Sequence, residues 1–346
     1  MNLIEAVLQE HFDDLGLAEL GLSRTMGTAL VTPRFVTSRH VVGIVFSANR
    51  STPCVVAKVP RRPGDNAGVL HEARMLRALA EATAEVPLGV PRVLGTVDVG
   101  SHTVLVETAV PGTPLNPKAV CTDTDRAVRA GSQFIAALPV TRAAGGNPDF
   151  YEDAIAAPLR ALALHAPLAG ETAELVERTH IALQPLRRAA LPAVFEHADL
   201  SHPNLFLAAS DVLQVVDWER ATLDGLPGQD LVYYLQYIGE CARSAYTRPA
   251  QLRAFDDAFL AEGGWARLAL QAHLASRGVT QDLLPALILA AWARSAATLV
   301  TRLLPEGAAG AVSPDAPSGD QLDAAVAQDR DFWLWRHALD RTAALQ

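Results

Sequence analysis

Lysine is almost absent from this sequence of 346 residues: Lys58 and Lys118 are the only two, and arginine supplies the remaining positive charge. Basic residues are also outnumbered, because 29 Lys and Arg residues against 38 Asp and Glu residues leave a formal net charge of −9. A protein that binds nucleic acid needs a basic surface that displaces counterions from the phosphates. The composition therefore predicts that nucleic acid is not a partner.

Cysteine is equally scarce, with Cys54, Cys121 and Cys241 far apart in the chain. An odd number of widely spaced cysteines is not the pattern of a disulfide scaffold or of a zinc site. We therefore expect reduced thiols in a cytoplasmic protein. The first residues lack the basic stretch and apolar core of a secretory signal, and a short amphipathic helix is expected there instead.

A long uncharged apolar run is also missing. The most apolar segment, residues 283–304, is interrupted by Pro285, Arg294, Thr298 and Arg302. No stretch in it reaches the roughly 18 uncharged residues that a membrane span needs. The segment predicts a buried helix, and we expect no membrane partner.

The first third of the chain is rich in short β-branched runs. Strands are predicted near residues 29–32, 41–46, 54–59, 93–99 and 103–108, with one amphipathic helix near 69–79. The first three strands predict an antiparallel meander. Pro111 and Gly112 follow the last strand, where the chain cannot stay extended in a sheet.

After Asp123 the sequence changes to alanine-rich segments with helical periodicity. Helices are predicted at about 123–138, 151–165, 171–189, 229–245, 250–276, 280–304 and 319–343. Only residues 193–221 break this rhythm, with three short strands. The predicted fold class is α+β: a strand-rich lobe of residues 1–110, a hinge near 107–114, and a helical lobe of residues 111–346.

The segment that breaks the helical rhythm carries the chemistry. Residues 197–204 read HADLSHPN, and Asp217 follows an apolar strand thirteen positions after Asn204. Phosphoryl transfer needs a carboxylate that positions a hydroxyl, and hard oxygen ligands that hold magnesium on the triphosphate. Asp199 is the candidate catalytic carboxylate, and Asn204 and Asp217 are the candidate metal ligands. The rival interpretation is structural, with Asp199 capping a turn and Asn204 in an Asx-turn.

These residues resemble a known family. HADLSHPN followed by VVDWE at 215–219 is similar to the paired motifs of the aminoglycoside phosphotransferase and choline kinase superfamily, in which glycine usually stands at the place of Ala198. The resemblance spans nearly the whole chain and implies a protein-kinase-like fold with ATP and Mg²⁺ as cofactors. It also implies that Asp230 acts structurally, as the N-cap of the next helix.

The resemblance extends to the first lobe. Lys58 follows Val56-Ala57 in the third strand, similar to the kinase strand whose lysine holds the α- and β-phosphates. It implies that Glu72 pairs with Lys58, and that the Glu107 carbonyl and the Ala109 amide face adenine. The loop of residues 33–40 contains no glycine, so Ser38 is the candidate that covers the phosphates there.

The acceptor is less defined than the donor. We expect a small hydroxylated molecule, such as an aminoglycoside-like antibiotic, another natural product or a sugar. One alternative is a Ser/Thr kinase of a precursor peptide that acts together with a pathway partner protein. Another is a catalytically silent nucleotide-binding partner, and the retention of Lys58, Asp199, Asn204 and Asp217 argues against it.

Overall fold

The computed structural model describes residues 2–31, 39–48, 50–83, 88–147, 149–166, 168–261, 263–303 and 318–345. The chain forms two compact units. The first contains Met1–Thr113 together with Phe206–Ala221, and the second contains Pro114–Leu205 together with Thr222–Gln346. The lobe boundary predicted between residues 110 and 111 stays a prediction. The structure adds that Phe206–Ala221, which includes Asp217, belongs with the N-terminal residues.

The first unit is built on a five-stranded antiparallel sheet of order β1-β2-β3-β5-β4. Its elements are α1 (Leu3–Glu10), β1 (Met26–Val31), β2 (His40–Ser47), β3 (Val55–Pro60), α2 (Ala67–Ala82), β4 (Val93–Val99) and β5 (His102–Thr108). The predicted meander, the first helix and the two later strands are therefore present in the predicted order.

The two faces of this sheet have different partners. The side chains of Val55 and Ala57 pack with Val104 and Val106 in a buried cluster that also receives apolar residues of α1. Lys58 and Leu105 alternate with these residues and so face the opposite side, where Leu105 packs with Val69 and Ala73 of α2. The lysine predicted to bind phosphates therefore lies on the α2 side of the sheet.

The remaining elements are mostly helical. They are β6 (Thr113–Pro114), α3 (Pro117–Thr122), α4 (Thr124–Ala137), β7 (Val140–Arg142), α5 (Ala157–His165), α6 (Glu171–Ala182), α7 (Gln184–Arg188), β8 (Ala193–Glu196), β9 (Leu205–Leu207), β10 (Leu213–Val215), β11 (Thr222–Gly225), α8 (Gln229–Ala242), α9 (Arg248–Phe255), α10 (Trp265–Ser276), α11 (Leu284–Leu303), α12 (Gly319–Gln328), α13 (Arg330–Asp340) and α14 (Thr342–Leu345). In the second unit β8 lies between β11 and β7 in a small sheet. The α+β class is confirmed.

Three predicted helices are each broken in the structure, and the one predicted at 171–189 is divided at Leu183 into α6 and α7. The helix predicted at 250–276 is divided into α9, a π-helical turn and α10, which begins after Gly264. The helix predicted at 319–343 breaks at Asp329, whose side chain accepts hydrogen bonds from Asp331 and Phe332 and so begins α13. At Asp329, capping chemistry sets a helix boundary that hydrophobic periodicity alone does not predict.

Helix α11 is the central helix of the second unit, and its Ile288, Leu289 and Trp292 side chains are fully buried. Among the residues that the structure describes, the one stretch with the length and hydropathy of a membrane span is Gln281–Val300, and 89% of it is buried inside the protein. This matches the buried helix predicted for residues 283–304.

Candidate active site

Lys58 lies at the centre of a buried charged cluster in the first unit. Its Nζ is 2.6 Å from Oε1 of Glu72 on α2, 3.3 Å from Oδ1 of Asp217, and 3.9 Å from Oε1 of Glu107 on β5. Three carboxylates thus surround a single ammonium group. The structure brings together four residues that the sequence motifs predict for the site, and these residues are separated by as many as 159 positions in the chain.

The pKa values of the cluster follow from burial and from these charges. Burial lowers the pKa of Lys58, but Glu72, Glu107 and Asp217 outweigh that effect and raise it well above its usual value. Burial raises the pKa of Glu72, and the charge of Asp217 adds to the rise while Lys58 opposes it. Burial also raises the pKa of Glu107, to about 8. Lys58 therefore stays charged and available to an anion.

Glu72 does more than pair with Lys58. The same Oε1 atom accepts a hydrogen bond from the backbone N–H of Trp218 at 2.8 Å, and the Trp218 indole N–H donates to the carbonyl of Val215. Asp217, between these two residues, has φ +70. Because a non-glycine residue in this region is uncommon, the contacts on both sides hold the aspartate in a turn that it does not otherwise favour.

The backbone of β5 corrects two of the predicted nucleotide contacts. The Ala109 N–H donates to the carbonyl of Cys54 at 3.1 Å. Glu107 precedes Ala109 by two residues and lies opposite Val56 of β3. Because backbone groups two residues apart in a strand point to the same side, the N–H and carbonyl of Glu107 also point toward β3. The Glu107 carbonyl and the Ala109 amide are therefore used in the sheet and are not turned toward a ligand.

The next amide of the hinge is a better candidate for base recognition. Among the described residues, the Val110 N–H donates no hydrogen bond to a backbone carbonyl. In an extended chain successive amides point to opposite sides, so Val110 directs its N–H away from the side that Ala109 uses. Ser38, the residue proposed to cover the phosphates, lies outside the described residues.

The second unit holds the predicted catalytic loop, and Asp230 of α8 anchors it. The two carboxylate oxygens of Asp230 accept hydrogen bonds from the backbone N–H groups of His197, at 2.7 Å, and Ala198, at 2.9 Å. Gly228 is the N-cap of α8, so Asp230 is not the N-cap that the resemblance implied. Its structural role is real, but it acts on the loop before Asp199.

Hydrogen bonds inside the loop fix Asp199 and Asn204 relative to each other. The Asp199 N–H donates to Nδ1 of His197 at 3.2 Å, and Nδ2 of Asn204 donates to the Asp199 carbonyl at 3.1 Å. Asn204 is 5% exposed. Because its nitrogen faces the Asp199 carbonyl, its Oδ1 oxygen is the atom directed elsewhere, as a metal ligand requires.

Each unit carries one oxygen donor of the kind that magnesium prefers. Asn204 supplies a neutral amide oxygen, and Asp217 supplies a carboxylate whose side chain is 39% exposed. In the described part of the chain, no group of three or more His, Cys, Asp or Glu side chains is arranged to hold a metal. Magnesium typically takes one or two carboxylates and fills its other positions with phosphates and water, so such a group is not needed.

The first unit has a strand lysine paired to a helix carboxylate and a turn aspartate, and the second has an anchored HxDxxxxN loop; these are the motifs of the kinase-like class of proteins. The model of the phosphotransferase enzyme family, APH, matches residues 46–273. The chain belongs to this family, and the resemblance stated from its sequence motifs is confirmed. No curated protein matches the chain significantly.

Solved structures show the same fold at low sequence identity. The crystal structure of aminoglycoside phosphotransferase APH(4)-Ia is 14% identical with a TM-score of 0.52, covering 96% of this chain and 98% of that one. The GDP complex of aminoglycoside 2'-phosphotransferase-IIIa is 13% identical with a TM-score of 0.51, covering 97% and 98%. Choline kinase LicA from Streptococcus pneumoniae is 10% identical with a TM-score of 0.50, covering 97% and 99%. The predicted protein-kinase-like fold is confirmed.

Three functional features were not found from the sequence: the Asp230 anchor, the Trp218 backbone contact and the burial of the Glu107 side chain. Asp230 itself could be picked out from the sequence, because Asp-Leu at the start of a helix belongs to the resemblance. Its hydrogen-bond partners could not be predicted, because they depend on how α8 packs. Whether Glu107 faces Lys58 depends on strand register, which a single sequence does not specify here.

Proposed function

We propose that this chain transfers the γ-phosphate of ATP, with Mg²⁺, to a hydroxyl group of a small molecule such as an aminoglycoside-like antibiotic, another natural product or a sugar. The observation that carries the proposal is the buried Lys58 ammonium held by Glu72 at 2.6 Å and by Asp217 at 3.3 Å. A buried lysine kept charged beside a carboxylate that can bind metal is suited to a triphosphate.

Each residue has one role in the proposed reaction. Lys58 would bind the phosphates as a point charge. Asp217 of the first unit and Asn204 of the second are the residues proposed to ligate magnesium, which would supply positive charge that neutralises the phosphates. Asp199 orients the acceptor hydroxyl and takes its proton as the new bond to phosphorus forms and the bond to the leaving ADP breaks. The loop contacts of Asp199 support this role because they fix its backbone on both sides.

The nature of the acceptor rests on the relatives. One mutant of APH(4)-Ia with a TM-score of 0.52 was crystallised as a ternary complex with AMP-PNP and hygromycin B, at 13% identity to this chain. That finding belongs to that protein, and it supports a small hydroxylated acceptor here by analogy alone. A precursor peptide acceptor and a silent nucleotide-binding partner are the outcomes that the experiment must separate from it.

The test is a mass-spectrometric screen for a gain of about 80 Da, one HPO3 unit, on aminoglycosides, sugars and Ser/Thr peptides incubated with the protein, ATP and Mg²⁺. We expect product from a small hydroxylated compound. Asp217→Asn should abolish it. Asp211→Asn is a matched control, because Asp211 is also an aspartate at positive φ in the same unit but lies at an exposed position.

Three results would contradict the proposal in different ways. Phosphorylation of peptides alone would replace the small-molecule acceptor with a peptide. Nucleotide binding without transfer to any acceptor would support the silent partner. Full transfer by Asp217→Asn would remove the metal-binding role from that residue and with it the assignment of the cluster around Lys58.

A further inference from the structure

Glu107 is an unusual side chain for the face of the five-stranded sheet that packs against α2. It is 1% exposed, and its Oε1 lies 3.9 Å from the ammonium group of Lys58. Among the described residues, its second oxygen, Oε2, has no hydrogen-bond partner. A buried carboxyl oxygen without a partner is costly, so such an atom indicates a bound proton, an ordered water or a ligand that supplies the missing donor.

The position of Glu107 within β5 indicates what that ligand is. Leu105 lies opposite Lys58, and Glu107 follows it by two residues on the same face, in the direction of Val110. In the proposed function Lys58 holds the phosphates, and the unused amide of Val110 is the candidate for the base. The Glu107 carboxyl therefore lies on the stretch of strand that leads from the phosphate-binding lysine to the base-binding backbone.

We propose that the Glu107 carboxyl selects adenine over guanine nucleotides, with Oε2 accepting a hydrogen bond from the exocyclic 6-amino group of adenine. This inference rests on the proposed function, and it concerns the side chain of Glu107, whereas the resemblance assigned a role only to its backbone carbonyl. It makes Glu107 a residue that determines nucleotide specificity.

The chemistry of the two purines supplies the discrimination. At position 6 adenine carries an amino group that donates, and guanine carries a carbonyl oxygen that accepts. A carboxylate oxygen can only accept, so guanine would leave two buried acceptors facing each other with no hydrogen between them. The fold alone does not decide the base, since one relative with this fold was crystallised with GDP and another with AMP-PNP.

The preference for adenine depends on the protonation state of Glu107. Burial raises the pKa of Glu107 to about 8, so the free protein holds most of this carboxyl in its protonated form near neutral pH and in its ionised form above about pH 8. A protonated carboxyl can donate to the guanine carbonyl as well as accept from adenine. If that form governs binding, the preference for adenine disappears, and the experiment below detects this.

The experiment measures the dissociation constants of ADP, GDP and IDP by calorimetry with Mg²⁺ present. IDP carries the 6-carbonyl of guanine without its 2-amino group, so it isolates the contact at position 6. We expect the wild type to bind ADP at least about tenfold more tightly than GDP or IDP, the size expected for one hydrogen bond to a charged group. In Glu107→Gln, whose amide can donate or accept, the ratio should fall to within about threefold.

Glu72→Gln is the control. It also changes a buried carboxylate beside Lys58, so it should weaken all three nucleotides while leaving their ratios as in the wild type. Equal affinities of ADP, GDP and IDP for the wild type would overturn the inference and leave the proposed function intact. An ADP preference that survives both Glu107→Gln and Glu107→Met would assign selectivity to other groups. If none of the three nucleotides binds, the proposed function itself is overturned.

Discussion

The Oε1 atom of Glu72 accepts a hydrogen bond from the backbone N–H of Trp218 at 2.8 Å, across 146 positions of the sequence. The same oxygen lies 2.6 Å from the ammonium group of Lys58. One carboxylate therefore fixes both Lys58, the proposed phosphate-binding lysine, and the residue that follows Asp217. We infer that Glu72 positions the proposed metal ligand Asp217 as well as forming the ion pair with Lys58.

Two substitutions of Glu72 separate these roles. Glu72→Gln keeps an oxygen that can accept from the Trp218 N–H, whereas Glu72→Ala removes it together with the ion pair. We expect Glu72→Ala to raise the Mg²⁺ concentration for half-maximal transfer by at least about tenfold more than Glu72→Gln does, since Asp217 then loses its support. The measurement is transfer rate against Mg²⁺ concentration. Identical Mg²⁺ curves for the two variants would show that the Trp218 contact does not position Asp217.

Asp230 predicts a pH dependence of the transfer step. Burial and then the charge of Glu196 raise the pKa of Asp230 to about 7, although the amides of His197 and Ala198 and the charge of Arg294 oppose the rise. Below that pH the folded protein binds a proton at Asp230, and the carboxyl no longer offers two equivalent acceptors to the loop. We therefore expect kcat to rise with pH through about 7.

The variant that tests this dependence is Asp230→Asn. Its amide can accept only one of the two loop hydrogen bonds, so we expect kcat to fall by about 10 to 100 fold and the limb of the pH profile near pH 7 to disappear. ADP affinity should be unchanged, because Lys58 and its partners are untouched. The measurement is kcat from about pH 5.5 to about pH 9. An unchanged limb in Asp230→Asn would assign that ionisation to another group.

Replacing Ala198 with glycine is expected to stabilise the folded protein. It has φ +66, and the family form of the motif has glycine at this position. Alanine in this region costs about 1 to 2 kcal/mol, and glycine loses up to about 1 kcal/mol more entropy on folding. We expect Ala198→Gly to raise the free energy of unfolding by up to about 1 kcal/mol, which is a rise in Tm of a few degrees.

The matched control for this substitution is Ala189→Gly. Ala189 has φ −83, so glycine relieves no strain there and should lower Tm. Scanning calorimetry of the two variants and the wild type provides the comparison. A lower Tm for Ala198→Gly would mean that the loop accommodates alanine without strain.

Much of the fold and part of the site could be predicted from the sequence. Strand and helix periodicity predicted the five-stranded sheet. Motif spacing selected Lys58, Glu72 and Asp217 as candidates, because a short motif keeps its chemically active residues at a fixed spacing. The assignments of the Glu107 carbonyl and Ala109 amide were wrong because a shift of one residue reverses the direction of every backbone group in a strand. Register and helix packing come from the whole fold, and they also decide the partners of Asp230.

In the proposed reaction Asp199 acts on the transfer step and not on nucleotide binding. Asp199→Asn keeps the size of the side chain and removes its charge, so it should bind Mg-ADP with near-wild-type affinity by calorimetry. The direct measurement is transfer from γ-labelled ATP to an acceptor found in the screen, with wild type and Asp199→Asn side by side. We expect normal nucleotide binding and loss of transfer by at least about a thousandfold. Undiminished transfer by Asp199→Asn would contradict that role of Asp199.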